Sequence, residues 1–75
     1  MPFNAEFFAR QLKVKRAEMG WNQNELAEAS GVSLGTVARY EMCATKPSFE
    51  TICDLADALE CSTDDFWERN ERKAS

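Results

Sequence analysis

The run Trp21-Asn22-Gln23-Asn24-Glu25-Leu26-Ala27-Glu28-Ala29-Ser30-Gly31-Val32-Ser33-Leu34-Gly35-Thr36-Val37-Ala38-Arg39-Tyr40-Glu41 constrains this chain most. Asn22 followed three residues on by Glu25 has the spacing of a capping box and starts a helix. Leu26 and Ala27 point inward, and the small Ala27 lets a second helix approach closely. Gly31 supplies a tight turn, with Val32 packed beneath it. Ser33 caps a further short helix, about 33–42, whose Val37 and Tyr40 face the core. Leu34, Gly35, Ala38 and Arg39 then face outward. A surface helix seldom shows solvent a face of Leu, Gly and Ala without some contact. Two short helices crossing at such a turn are a means of laying a helix into the DNA major groove.

The rest of the chain has helical spacing and no convincing alternation of apolar and polar residues, so strands are not expected. A first helix is predicted from about Asn4 to Met19, with Phe8, Leu12 and Met19 on one stripe and Phe7 beside it. Asn4 is its cap, and Gly20 ends it in a left-handed conformation. Pro47 and Ser48 open a fourth helix with the stripe Phe49, Ile52, Leu55, Ala56 and Leu59. Ser62, with Asp65 three residues later, caps a fifth helix carrying Phe66 and Trp67. The core spans about 4–68, and 69–75 is a polar tail that frays. The 75 residues thus read as one all-α domain, 1–75. A core this small is marginal, so idealised packing or a partner subunit is expected to help.

Charge and cysteine usage narrow the function classes. The net charge is −4 and unevenly spread. Arg10, Lys13, Lys15, Arg16, Arg39 and Lys46 stand in residues 1–46 against five acids, whereas 47–75 holds three bases against eight acids. Such asymmetry suits a protein only one face of which meets phosphate, and it argues against broad non-specific binding. Cys43, Cys53 and Cys61 include no C-x-x-C pair, and histidine is absent. No metal site or cofactor is expected. Cys53 and Cys61 read as small buried apolar residues, and Cys43 as the exposed one. No apolar run approaches the roughly 18 residues of a membrane span, and no signal peptide is visible, so a cytoplasmic protein is expected. Without histidine, a nucleophile beside a base, or room for an ordinary pocket, an enzyme is not expected.

Several pieces in order resemble the helix-turn-helix domain of phage Cro and repressor proteins, the xenobiotic-response-element family. They are Arg16-x-x-x-Gly20, Asn22-Gln23-x-x-Leu26-Ala27, Gly31-Val32-Ser33, Val37, Glu41, Lys46-Pro47-Ser48, Leu55-Ala56-x-Ala58-Leu59 and Asp65-Phe66. Each is weak alone, but together they cover about Leu12 to Trp67. The resemblance implies a five-helix, lambda-repressor-like fold with the third helix as recognition helix. It places Leu34, Gly35, Thr36 and Arg39 at DNA-facing positions and Lys46 in a backbone-touching loop. Gln23 would contact a phosphate and brace the recognition helix, and Arg16 and Glu41 would form an internal salt bridge. Asn22 and Ser33, at the two helix starts, complete the expected DNA-binding set, since helix N-termini favour phosphate.

The departures from the family pattern are informative. Leu34 and Gly35 replace residues that commonly hydrogen-bond bases. Leu34 can meet a thymine methyl, Gly35 lets the backbone come close, and Arg39 is left as the strong base reader. Cys43 and Glu60 stand where glycines are usual, and Cys43 is expected to alter the loop after the recognition helix. The expected function is sequence-specific binding of double-stranded DNA by a homodimeric transcriptional repressor, without a small-molecule ligand or a sensing domain. Whichever of Phe66 and Trp67 is left out of the core is the candidate dimer anchor. The competing reading is an antitoxin-like or anti-repressor interaction module that keeps the fold and has lost its base readers.

Overall fold

The computed structural model describes residues 3–67. The polar tail expected over 69–75 lies outside the described residues. Four α-helices follow one another: α1 (Ala5–Glu18), α2 (Gln23–Ser30), α3 (Leu34–Glu41) and α4 (Phe49–Leu59). A 3-10 turn, Thr63–Phe66, closes the described chain.

Each helix starts where a local side chain takes up its orphan amides. Asn4 Oδ1 accepts from the Phe7 amide at 2.9 Å, and Ser33 and Ser48 accept from the amides of Thr36 and Thr51 at 3.2 Å. The capping box of α2 is complete: Asn22 Oδ1 accepts from Glu25 N, and Glu25 Oε1 accepts from Asn22 N, both at 2.8 Å. Gly31 ends α2 at φ 78°, a conformation that a β-carbon would strain. The backbone therefore reverses within Gly31-Val32-Ser33, and α3 crosses α2 with Ala27 buried between them.

The core is built from one stripe of each helix. Phe8, Leu12, Leu26, Val37, Ile52, Leu55 and Phe66 are all essentially inaccessible to water. Burying each such side chain is worth about 1.5–3 kcal/mol, and this is what offsets the ordering of short helices that are marginal alone. Phe8 is the hub, its ring edge-on to Tyr40 at 5.6 Å and to Phe66 at 5.4 Å. Met19, Trp21 and Val32 are half-buried against this cluster.

Four expectations need correction. The fifth helix is a single four-residue 3-10 turn, because Trp67 is already extended (φ −108°, ψ 134°) and its amide bonds back only three residues, to Asp64. Asp65 ties that turn to α1, accepting from Gln11 Nε2 at its carbonyl (3.1 Å) and lying 3.6 Å from Lys15 Nζ. Phe49 leaves the α4 stripe and is 63% exposed. As the first residue of α4 its side chain leans past the helix end, where it meets the Trp67 ring, 6.1 Å away. Cys53 and Cys61 are half-buried rather than buried. Phe66 is buried in the core, so it is not free to anchor a dimer, while Trp67 is half-buried between Phe3 and Phe49. Among the described residues, no helix is long and apolar enough to cross a membrane.

Candidate nucleic-acid interface

The outward face of α3 is held in place from behind by a polar knot. Glu41, at the end of α3, is only 5% exposed. Arg16 of α1 grips its carboxylate with two prongs, Nε to Oε2 at 2.8 Å and Nη2 to Oε1 at 3.0 Å. Gln23, the first residue of α2, donates from Nε2 to Oε1 at 2.9 Å. The remaining Arg16 nitrogen, Nη1, donates to the Trp21 carbonyl at 3.0 Å. A buried charge is tolerated only when paired and hydrogen-bonded in this way. The hydrogen bonds that Arg16 donates to Glu41, and the negative charge of that carboxylate, push the Arg16 pKa up, against the opposing pull of burial. Arginine already titrates far above neutrality, so this shift adds no pH dependence in the ordinary range. The knot joins α1, the start of α2 and the end of α3, which fixes the angle at which α3 is presented.

On the opposite side, α3 offers Leu34 (46% exposed), Gly35, a half-buried Thr36 and an exposed Arg39. Ser33 and Thr36 are hydrogen-bonded hydroxyl to hydroxyl at 2.7 Å, and Arg39 Nη2 reaches Thr36 Oγ1 at 3.4 Å. Arg39 has no acidic partner among the described residues. Asn22 is exposed at the start of α2, and its Nδ2 is left over after capping. Gln23 is half-buried, with one Nε2 proton still available. Lys46 is exposed in the loop between α3 and α4, without an ion pair among the described residues. The structure thus bonds Ser33, Thr36 and Arg39 into one row and Arg16, Gln23 and Glu41 into another. It joins neither Asn22 nor Lys46 to them by a direct bond.

Two features of this face escape the sequence reading. The Ser33-Thr36-Arg39 row follows from hydroxyl, hydroxyl and guanidinium groups spaced three apart, a signal that was available. Met42, 68% exposed just past α3, adds an apolar group beside the loop that carries Lys46. Among the described residues, no three His, Cys, Asp or Glu side chains converge as a metal site requires.

The family model for HTH_3, described as Helix-turn-helix, matches residues 12–66. The chain belongs to this family. Its helix-turn-helix is similar to that of the HTH-type transcriptional regulator SutR of Escherichia coli K12, with 34% identity over 55 residues covering 73% of this chain and 31% of the relative. A crystal structure of an HTH_3 family transcriptional regulator from Vibrio cholerae superimposes with a TM-score of 0.79 at 29% identity, over 83% of this chain and 35% of that one. The chain therefore spans about a third of the length of both relatives. The match takes in α2, the Gly31 turn and α3 whole, together with the Arg16-Glu41 pair behind them.

Proposed function

We propose that this chain is the DNA-binding unit of a cytoplasmic transcriptional regulator, acting as a repressor. The observation that carries the reading is the outward row of α3, where the Arg39 guanidinium, with no acidic partner among the described residues, stands beside small and apolar residues on a rigidly braced helix. In this reading α3 enters the major groove, Arg39 reads a base, and Leu34 meets a thymine methyl. Asn22, Gln23, Ser33 and Lys46 hold phosphates at the groove edges, Thr36 serves a phosphate or a base, and Gly35 lets the backbone come close. A homodimer places two such helices in successive major grooves, about 34 Å apart, and blocks polymerase. One domain with few phosphate contacts binds weakly, and linkage of two half-sites restores affinity.

Selection from a random-duplex library, followed by salt titration of the enriched sequence, tests this. The expected result is a palindrome whose affinity falls steeply with salt, with a slope that counts the phosphate contacts. Absence of enrichment at low salt overturns the reading. The competing reading, a protein-interaction module, draws support from Leu34 and Met42, which leave both ends of α3 apolar and exposed. Arg39→Ala separates the two: it abolishes operator binding in the first and leaves partner binding intact in the second.

A further inference from the structure

We infer that Thr36 is a positioning residue for Arg39, so that one guanine per half-site is read at the level of the first turn of α3. The inference rests on the DNA-binding reading above and adds to it how the base reader is aimed.

Arg39 is a long, exposed side chain with many rotamers, and an unaimed guanidinium loses that freedom when it meets a base. Here three groups narrow its choices. The Thr36 amide donates to Ser33 Oγ at 3.2 Å, which fixes the serine at the helix start. Ser33 Oγ donates in turn to Thr36 Oγ1 at 2.7 Å. Arg39 Nη2 donates to the same Thr36 Oγ1 at 3.4 Å. Thr36 Oγ1 thus accepts twice, and its orientation is set by the cap rather than by solvent. The third group is Gly35. Arg39 Nη1 lies 3.6 Å from where a β-carbon on residue 35 would stand. The guanidinium therefore rests on bare helix, one turn before its own α-carbon, as helical side chains lean. A side chain longer than alanine at position 35 would occupy that bed.

The consequence is chemical. Held this way, Arg39 keeps donors on both Nη1 and Nη2 for the O6 and N7 acceptors of guanine, the bidentate pairing that arginine favours. Gly35 contributes no contact of its own and lets the guanine edge come close to the helix.

The test compares base preference, not overall affinity, for the wild-type chain and for Thr36→Val, Thr36→Ser and Arg39→Ala. Thr36→Val keeps the backbone amide that caps the helix and removes the acceptor; a thermal melt checks that it stays folded. For the wild type, one half-site position should prefer guanine by about 5- to 150-fold, and Arg39→Ala should erase that preference. Thr36→Val should lower the guanine preference at that position by roughly 2- to 10-fold, the worth of one modest hydrogen bond, and leave other positions unchanged. Thr36→Ser, which keeps the acceptor, should restore it. A uniform loss of affinity with unchanged guanine preference means that Thr36 holds a phosphate, and overturns the inference alone. So does a full preference retained by Thr36→Val. Failure of the wild type to enrich any sequence overturns the inference together with the reading on which it rests.

Discussion

Cys43 and Glu60 sit at φ 61° and 58°, the left-handed region that favours glycine. The resemblance puts family glycines at both positions, so the need for a left-handed residue was legible, but the outcome was not. Cys43 keeps the glycine-like backbone rather than remodelling the loop, and its thiol reaches the Ala5 carbonyl at 3.7 Å. Glu60 ends α4 in the same conformation. A β-carbon in this region is costly, so Glu60→Gly is expected to stabilise the chain by about 0.5–1 kcal/mol. For a domain of this size that is a rise of a few degrees in Tm. A melting temperature unchanged or lowered would mean that the greater unfolded-state freedom of glycine cancels the relief. Cys61, half-buried, raises a question of reactivity. Burial pushes the Cys61 thiol up, the charge of Asp65 adds to this, Lys15 opposes it, and Glu18 adds a little more. Thiolate is the reactive form, so Cys61 reacts late and more readily as pH rises. With limiting iodoacetamide at neutral pH, peptide mass spectrometry should find the exposed Cys43 alkylated ahead of Cys61. Equal labelling of the two would contradict that order.

At the scale of elements, what the sequence discloses well is what is decided within a few residues. The caps at Asn4, Asn22, Ser33 and Ser48 and the reversals at Gly20 and Gly31 are local chemistry, and each lies where the spacing puts it. The Ser62-Asp65 box was equally visible, yet it caps a 3-10 turn, since the length of that element depends on where Trp67 turns to reach Phe3 and Phe49. Phe49 departs for the same reason: helical period assigns it to the α4 stripe, but only the packed bundle reveals that it stands outside the core, 63% exposed beside Trp67. The start of α2 carries a tension of its own. Its amides and dipole favour a phosphate, while Glu25 places a carboxylate on the Asn22 amide, at 2.8 Å. Glu25→Gln keeps the capping geometry, since glutamine serves in the same box, and removes the charge. We expect it to strengthen DNA binding several-fold at low salt, with less gain as salt rises, and to cost only a few tenths of a kcal/mol in stability. Fluorescence anisotropy on the selected duplex at two salt concentrations measures this, and weaker binding would place Glu25 itself in the recognition of a base or donor.

At the scale of the molecule, the Arg16-Glu41-Gln23 knot and the aromatic surface of Phe3, Phe49 and Trp67 do different work. The knot is structural. Arg16→Met leaves Glu41 buried with only Gln23 to face, which should cost about 3 kcal/mol or more in urea denaturation, a large share of the 5–15 kcal/mol typical of a folded domain. A smaller loss would show that the site opens to water. The aromatic surface is where a second copy would sit in the proposed dimer. With Phe66 committed to the core, exposed Phe49 and half-buried Trp67, braced by Phe3, offer an aromatic anchor. Interfaces favour aromatic rings and exclude charge at their centre. Because Phe49 is 63% exposed, Phe49→Glu should leave the melting temperature close to that of the wild type. It should shift sedimentation from dimer to monomer and weaken binding to the palindrome, while affinity for an isolated half-site stays the same. That last comparison decides the matter, because a surface that serves dimerisation acts only through linkage of the two half-sites. An equal loss on half-site and palindrome would instead put Phe49 in contact with DNA, and an unchanged dimer would move the interface to another face.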